Sequence, residues 1–144
     1  SIGGPPLKER RVLVITHGHF GEELVKSVEM IMGKQDYVTA MGLLPGCSVD
    51  DLRESAFEVL AKNDADGADT IVCCDLFGGS PSNVALSCLG KSDCKVMLGV
   101  NMPMLVQLAQ DIHDTKDLDE LVNTAAQAAR DGVVVKDRAI LLGK

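Results

Sequence analysis

Short β-branched runs separated by stretches of helical spacing recur along this chain, and that alternation leaves few folds open. Val12–Thr16 (VLVIT) and Thr70–Cys74 (TIVCC) carry almost no polar side chain. A strand that is apolar on both faces belongs inside a parallel sheet with helices above and below, where each face is covered. After VLVIT, the residues Phe20, Leu24, Val25, Val28, Ile31 and Met32 follow one helical face until Gly33 supplies a stop. Tyr37 to Leu44 reads as a second strand ending at Pro45-Gly46, and Ser48 is expected to cap a second helix with Val49, Leu52, Ala56, Val59 and Leu60 on its inner face.

After TIVCC, Ser80 is expected as N-cap and Pro81 as the first residue of a third helix. Lys95 to Val100 reads as a fourth strand, Asn101-Met102-Pro103 as a helix start, and Leu118 to Ala129 as a further helix before Gly132. Val133-Val134-Val135 reads as a last strand. Regular alternation of this kind predicts one α/β domain: an open, mostly parallel sheet flanked by helices, joined by right-handed crossovers, with 2-1-3-4 as the common strand order.

Residues 1–10 pair a Gly/Pro stretch with charges and read as a flexible arm outside the fold, leaving 11–136 as the domain and 137–144 as a tail. No apolar run approaches the ~20 residues a membrane span needs, and no signal peptide is expected, so the cytoplasm is the expected compartment. Fourteen Lys plus Arg against 21 Asp plus Glu give a net charge of −7, which repels nucleic acid. One Tyr, three Phe and no Trp leave no platform for stacking bases. The five cysteines form no C-x-x-C and read as reduced, buried thiols; with only three histidines and no ligand spacing, no metal site is expected.

Ligands of open α/β sheets bind beyond the carboxyl ends of the strands, where strand order reverses, which here lies between strands one and three. Strand one ends at His17 and strand three at Asp75, beside Gly78-Gly79-Ser80. An imidazole can attack phosphorus through one nitrogen while a carboxylate holds the proton on the other and steadies the cation that forms. Backbone N–H groups at a helix start, together with a serine hydroxyl, suit the phosphoryl oxygens, and glycines let that backbone approach closely. Singly, each residue has an ordinary reading as surface histidine, turn aspartate or helix start; their meeting at one switch point is the signal. His19 reads as a solvated neighbour and His113 as marking a helix end. Met102 and Met104 read as core or helix start, although thioethers also suit a docking rim. Neither a phosphate-binding G-x-x-x-x-G-K-[ST] nor a dinucleotide G-x-G-x-x-G is present, and Ser80 sits in no G-x-S-x-G.

Three segments, ITHGHFGEEL (15–24), CDLFGGSPSN (74–83) and GVNMPML (99–105), resemble the mannose-class enzyme IIA components of the bacterial phosphoenolpyruvate:sugar phosphotransferase system, and the match runs from about Arg11 to Lys136. That resemblance implies a phosphocarrier: His17 accepts a phosphoryl group from the phosphocarrier protein HPr and passes it to enzyme IIB, here expected on a separate polypeptide, with the membrane permease subunits met only indirectly. Asp75 matches the carboxylate partner of the histidine and Ser80 the serine at the helix start, while Phe20, Phe77 and Met102 are candidate partner-docking residues. No cofactor is implied. Members are commonly homodimers, so Val133-Val134-Val135 is expected as an antiparallel edge strand exchanged between subunits, which would also shield a sheet edge. Two other readings remain: the phosphotransfer subunit of a dihydroxyacetone kinase, with a similar fold and its own phosphohistidine, and a non-catalytic regulatory module that binds an anion. The sequence does not name the sugar.

Overall fold

A computed structural model describes residues 8–114 and 117–143. Strand β1 (Arg10–His17) leads to helix α1 (Phe20–Met32), followed by β2 (Val38–Leu43), α2 (Val49–Ala65), β3 (Asp69–Cys74) and α3 (Ser80–Ser87). A 3₁₀ turn (Cys88–Gly90), β4 (Lys95–Leu98), α4 (Met102–Asp111), α5 (Leu118–Asp131) and the single turn α6 (Arg138–Leu141) complete the chain. The four strands pair in the order β2-β1-β3-β4, all parallel, as the alternation predicts.

Period-two alternation in the central strands sends neighbouring side chains to opposite layers. Val12, Val14, Ile71 and Cys73 pack with Leu24, Val28, Leu105, Leu108 and Leu121 on one face. Leu13, Ile15, Val72 and Cys74 pack with Leu52, Leu60, Val84 and Cys88 on the other. Each aliphatic side chain so buried contributes roughly 1.5–3 kcal/mol relative to exposure, so the apolar stretches Val12–Ile15 of β1 and Ile71–Cys74 of β3 act as the rigid spine on which the loops at their carboxyl ends are mounted. Ser48 caps α2 as expected, accepting from the N–H groups of Asp50 and Asp51.

Several boundaries differ from the sequence reading. Arg10 already belongs to β1: it is buried and pairs with Asp69, whose N–H donates to the Glu9 carbonyl, so the arm expected over 1–10 gives way to sheet at its end. Residues 1–7 of that arm, and Lys144, lie outside the described residues. β4 stops at Leu98 because Gly99, at φ +98°, turns the chain and both Gly99 and Val100 donate their N–H groups to the Cys74 carbonyl. Gly79 is the N-cap of α3, with Ser80 its first residue and Pro81 following, and the Ser80 hydroxyl makes no capping bond. Val133-Val134-Val135 forms no strand: a strand needs a hydrogen-bonded partner, and among the described residues the run pairs with none of the four strands. The expected tail folds into α6, where the Asp137 carboxylate accepts from the Ile140 N–H. Four cysteines are buried free thiols, but Cys47, placed on the loop before α2, is exposed.

Candidate active site

At the carboxyl end of the sheet, β1 delivers His17 and β3 delivers Asp75 to adjacent positions. Because β1 and β3 are hydrogen-bonded neighbours, with Ile15 opposite Cys74, the residues that follow them emerge side by side. One carboxylate oxygen, Oδ2 of Asp75, receives both the backbone N–H of His17 at 3.0 Å and its ring Nδ1 at 2.8 Å. That double contact fixes the ring at its root and along its near edge and leaves Nε2 facing outward. Nε2 looks onto the start of α3: a β-carbon placed on Gly79 would lie 3.8 Å from it. The glycine, at φ +87°, thus both makes the turn and keeps the space before the ring clear.

The charge balance of Asp75 follows from these contacts. Partial burial pushes its carboxyl upward, but the His17 backbone N–H, the His17 ring and the Cys74 thiol together outweigh it and hold Asp75 below the ordinary carboxylate range. Asp75 is therefore ionised at neutral pH and accepts a proton-bearing Nδ1, which leaves Nε2 as the ring's lone-pair nitrogen. The His17 side chain is about half exposed (52%) against 13% for Asp75, so a shielded carboxylate backs a nitrogen that an incoming molecule can reach.

The loop between β1 and α1 is tied down on three sides. Thr16 is wholly buried; its hydroxyl accepts from the Gly21 N–H at 2.8 Å and donates to the His17 carbonyl at 3.1 Å. The Gly18 N–H donates to the Leu43 carbonyl at 2.8 Å. A β-carbon on Gly42 would stand 1.7 Å from the Gly18 carbonyl oxygen, so β2 can lie this close only with glycine there. Sequence reasoning missed Gly42, Thr16 and the Cys74 thiol. Gly42 carried a signal, being a glycine inside a strand, where a close backbone approach is the usual cause; the other two looked like ordinary core.

His17, Asp75, Gly78, Gly79 and Ser80 are brought to one end of the sheet by the β1 and β3 exits and the start of α3. Phe20 (50% exposed) at the start of α1, and Phe77 (74%) and Leu76 in the β3–α3 loop, are exposed apolar side chains. Met102 is half-buried and packs against the core of the α1/α4/α5 layer. The His19 ring Nδ1 lies 3.4 Å from a carboxylate oxygen of Glu22, three residues on. His113 sits just past the end of α4, edge-on to Tyr37 with ring centroids 5.7 Å apart. Among the described residues no group of three or more His, Cys, Asp or Glu could hold a metal ion, and no helix is long and apolar enough to cross a membrane.

The sequence profile of one family, described as the PTS system fructose IIA component (EIIA-man), matches residues 11–126. The mannose-specific EIIAB component of Escherichia coli K12 is 36% identical over 123 residues, covering 85% of this chain but 38% of the relative, so the chain spans well under half of that protein. The fructose-specific EIIA component of Bacillus subtilis is 28% identical over 113 residues, covering 78% of this chain and 76% of its own length. Among solved structures, the mannose/sorbose-specific IIA subunit from Enterococcus faecalis superposes with a TM-score of 0.79 at 25% identity, covering 91% of this chain and 96% of that one. A PTS IIA protein associated with the fucose utilization operon of Streptococcus pneumoniae gives 0.74 at 31% identity, covering 89% and 93%.

Proposed function

The chain belongs to the fructose/mannose IIA family of the sugar phosphotransferase system, and on that premise we propose that His17 is its phosphoryl carrier, charged by HPr and discharged to an enzyme IIB. The family itself establishes a role in phosphotransfer within that system; the carrier residue, the donor and the acceptor are our reading. The observation that carries it is the contact of Nδ1 with Asp75 at 2.8 Å, which leaves Nε2 as the outward nucleophile.

Transfer proceeds in line. The Nε2 lone pair forms a bond to phosphorus as the phosphorus–nitrogen bond of the donor phosphohistidine breaks, and the released electron pair stays on the donor ring. The positive charge that His17 acquires is balanced by Asp75 through Nδ1–H, which remains bonded throughout. Phosphoryl oxygens meet the Gly79 and Ser80 end of α3, where the positive end of the helix dipole and the Ser80 hydroxyl favour them. Pro81 contributes no N–H, so the serine hydroxyl stands in for a missing backbone donor. Donor and product are both phosphohistidines, so the step is close to thermoneutral and runs either way. The exposed Phe77, Leu76 and Phe20 supply apolar area on which HPr and IIB would dock in turn.

A dimer is part of the same proposal. Val133, Val134 and Val135 are 77%, 61% and 82% exposed, an apolar run that water does not favour. Beside β4, a sheet edge, runs a groove lined by Val96, Leu98, Val122 and Ala126. Exchange of the valine run between two copies, antiparallel to β4, would cover both. Light scattering should return twice the chain mass, and a monomeric mass at every concentration refutes the exchange. For the carrier, incubation with phosphoenolpyruvate, enzyme I and HPr should place an acid-labile phosphoryl group on the wild type and none on His17→Ala; labelling of His17→Ala refutes the assignment.

A further inference from the structure

We propose that Cys74 is a positioning residue for the phosphoryl-transfer site, gripping Asp75 from behind so that only Oδ2 is presented to His17. The inference rests on the carrier reading above and adds a residue to it. Cys74 is the last residue of β3 and is wholly buried. Its carbonyl accepts two backbone donors, Gly99 N–H and Val100 N–H, each at 2.9 Å, so the β4–α4 turn clamps the peptide that leads into Asp75. Its thiol lies 3.5 Å from Oδ1 of Asp75 and 3.6 Å from the Leu76 carbonyl oxygen.

A carboxylate free to rotate would offer either oxygen, or both, to the histidine. Here the two oxygens have different partners: Oδ2 takes the His17 backbone and ring, and Oδ1 takes the thiol. The thiol hydrogen can therefore act as a latch that selects one rotamer of Asp75, and through it one tautomer and one orientation of the His17 ring. The thiol stays protonated as it does so. Burial, with the Asp75 charge adding to it, pushes the thiol up to about 11, so it donates across the neutral range. The titratable groups that act on Asp75 are His17 and Cys74. Sulfur is a weak donor, and a single neutral-range hydrogen bond corresponds to about two- to tenfold in an equilibrium or rate.

The test compares Cys74→Ala, which removes the donor and cannot overpack the core, with Cys74→Ser, which restores a donor at nearly the same place. Two readouts are taken on the full chain: the ¹⁵N shifts of the His17 ring across pH, and the rate of phosphorylation from phospho-HPr. In wild type the neutral ring should be the Nδ1–H tautomer. Cys74→Ala should show a mixture of tautomers and a phosphorylation rate lower by about two- to tenfold; Cys74→Ser should recover most of both. A Cys74→Ala protein with the wild-type tautomer and phosphorylation rate overturns the positioning role, as does a Cys74→Ser protein no better than Cys74→Ala. If neither wild type nor variants are phosphorylated, the carrier reading fails, while the ring tautomers still decide whether the thiol orients Asp75.

Discussion

Replacing Gly42 by alanine puts a methyl group where a carbonyl oxygen already stands. The new β-carbon would lie 1.7 Å from the Gly18 oxygen, 2.9 Å from the Gly18 carbonyl carbon and 3.3 Å from the Thr16 oxygen. A carbon and a carbonyl oxygen sit no closer than about 3.3 Å in favourable contacts, so β2 and the His17–Gly18 loop must part by roughly 1.6 Å. The obstructing atoms are backbone, and no rotamer change relieves them. The Gly18 N–H bond to Leu43, now 2.8 Å, would stretch beyond hydrogen-bond range, and the adjacent His17 N–H would be drawn from Asp75. Overpacking costs about 1–3 kcal/mol and the lost hydrogen bond about 1 kcal/mol, which together lower the melting temperature of a domain this size by about 6–15 °C. A displacement near 1 Å at a reacting group costs about a hundredfold in rate. Gly18→Ala is the control: no atom lies within 4 Å of its β-carbon, and only its φ of +53° resists, at about 1–2 kcal/mol. Thermal unfolding and the phosphorylation rate from phospho-HPr measure both variants. If Gly42→Ala transfers at the wild-type rate, or if Gly18→Ala is the more damaged of the two, the claim that β2 sets the position of His17 is wrong.

Two further outcomes follow from the protonation of buried groups. Burial pushes the Cys73 and Cys88 thiols up to about 12, Cys74 to about 11 and Cys94 upward as well, whereas Cys47 is exposed; a thiol reagent at pH 8 should modify one residue in native protein and five after denaturation, and a second fast-reacting thiol would contradict the packing. Asp75 is held below the ordinary carboxylate range, so its contribution to stability is present above about pH 4 and is lost as pH falls through its depressed native value. The stability gap between wild type and Asp75→Asn, measured by urea unfolding, should therefore narrow on acidification; a gap constant from pH 7 to strongly acid conditions refutes the assignment of that charge.

The fold was largely legible because its central strands are apolar on both faces, which only a covered parallel sheet accommodates. Side-chain spacing alone placed His17 and Asp75 at strand ends, and the usual strand order brought them together. What the sequence hid lies in contacts between backbones and in neighbours from distant segments. Gly42 and Gly18 are 24 positions apart and meet only because β2 pairs with β1. Val133-Val134-Val135 has strand composition, yet composition cannot supply the neighbour that a strand requires. The Ser80 reading erred by one residue because Gly79, not the serine, takes the non-helical turn before α3. Cys74 looked like core from its apolar context, and it is core; its thiol acquires a second role only because Asp75 follows it out of the sheet.

The Asp75 contact occupies one edge of the His17 ring, and only the opposite nitrogen opens to solvent. On the carrier reading proposed above, a donor and an acceptor would approach through the same aperture, each excluding the other while docked. That reading excludes a ternary complex, gives exchange a ping-pong scheme, and requires the charged intermediate to outlive the departure of one protein and the arrival of the next. Selection on a carrier of that kind would act on the lifetime of the phosphorylated state between encounters as much as on the speed of either hand-over.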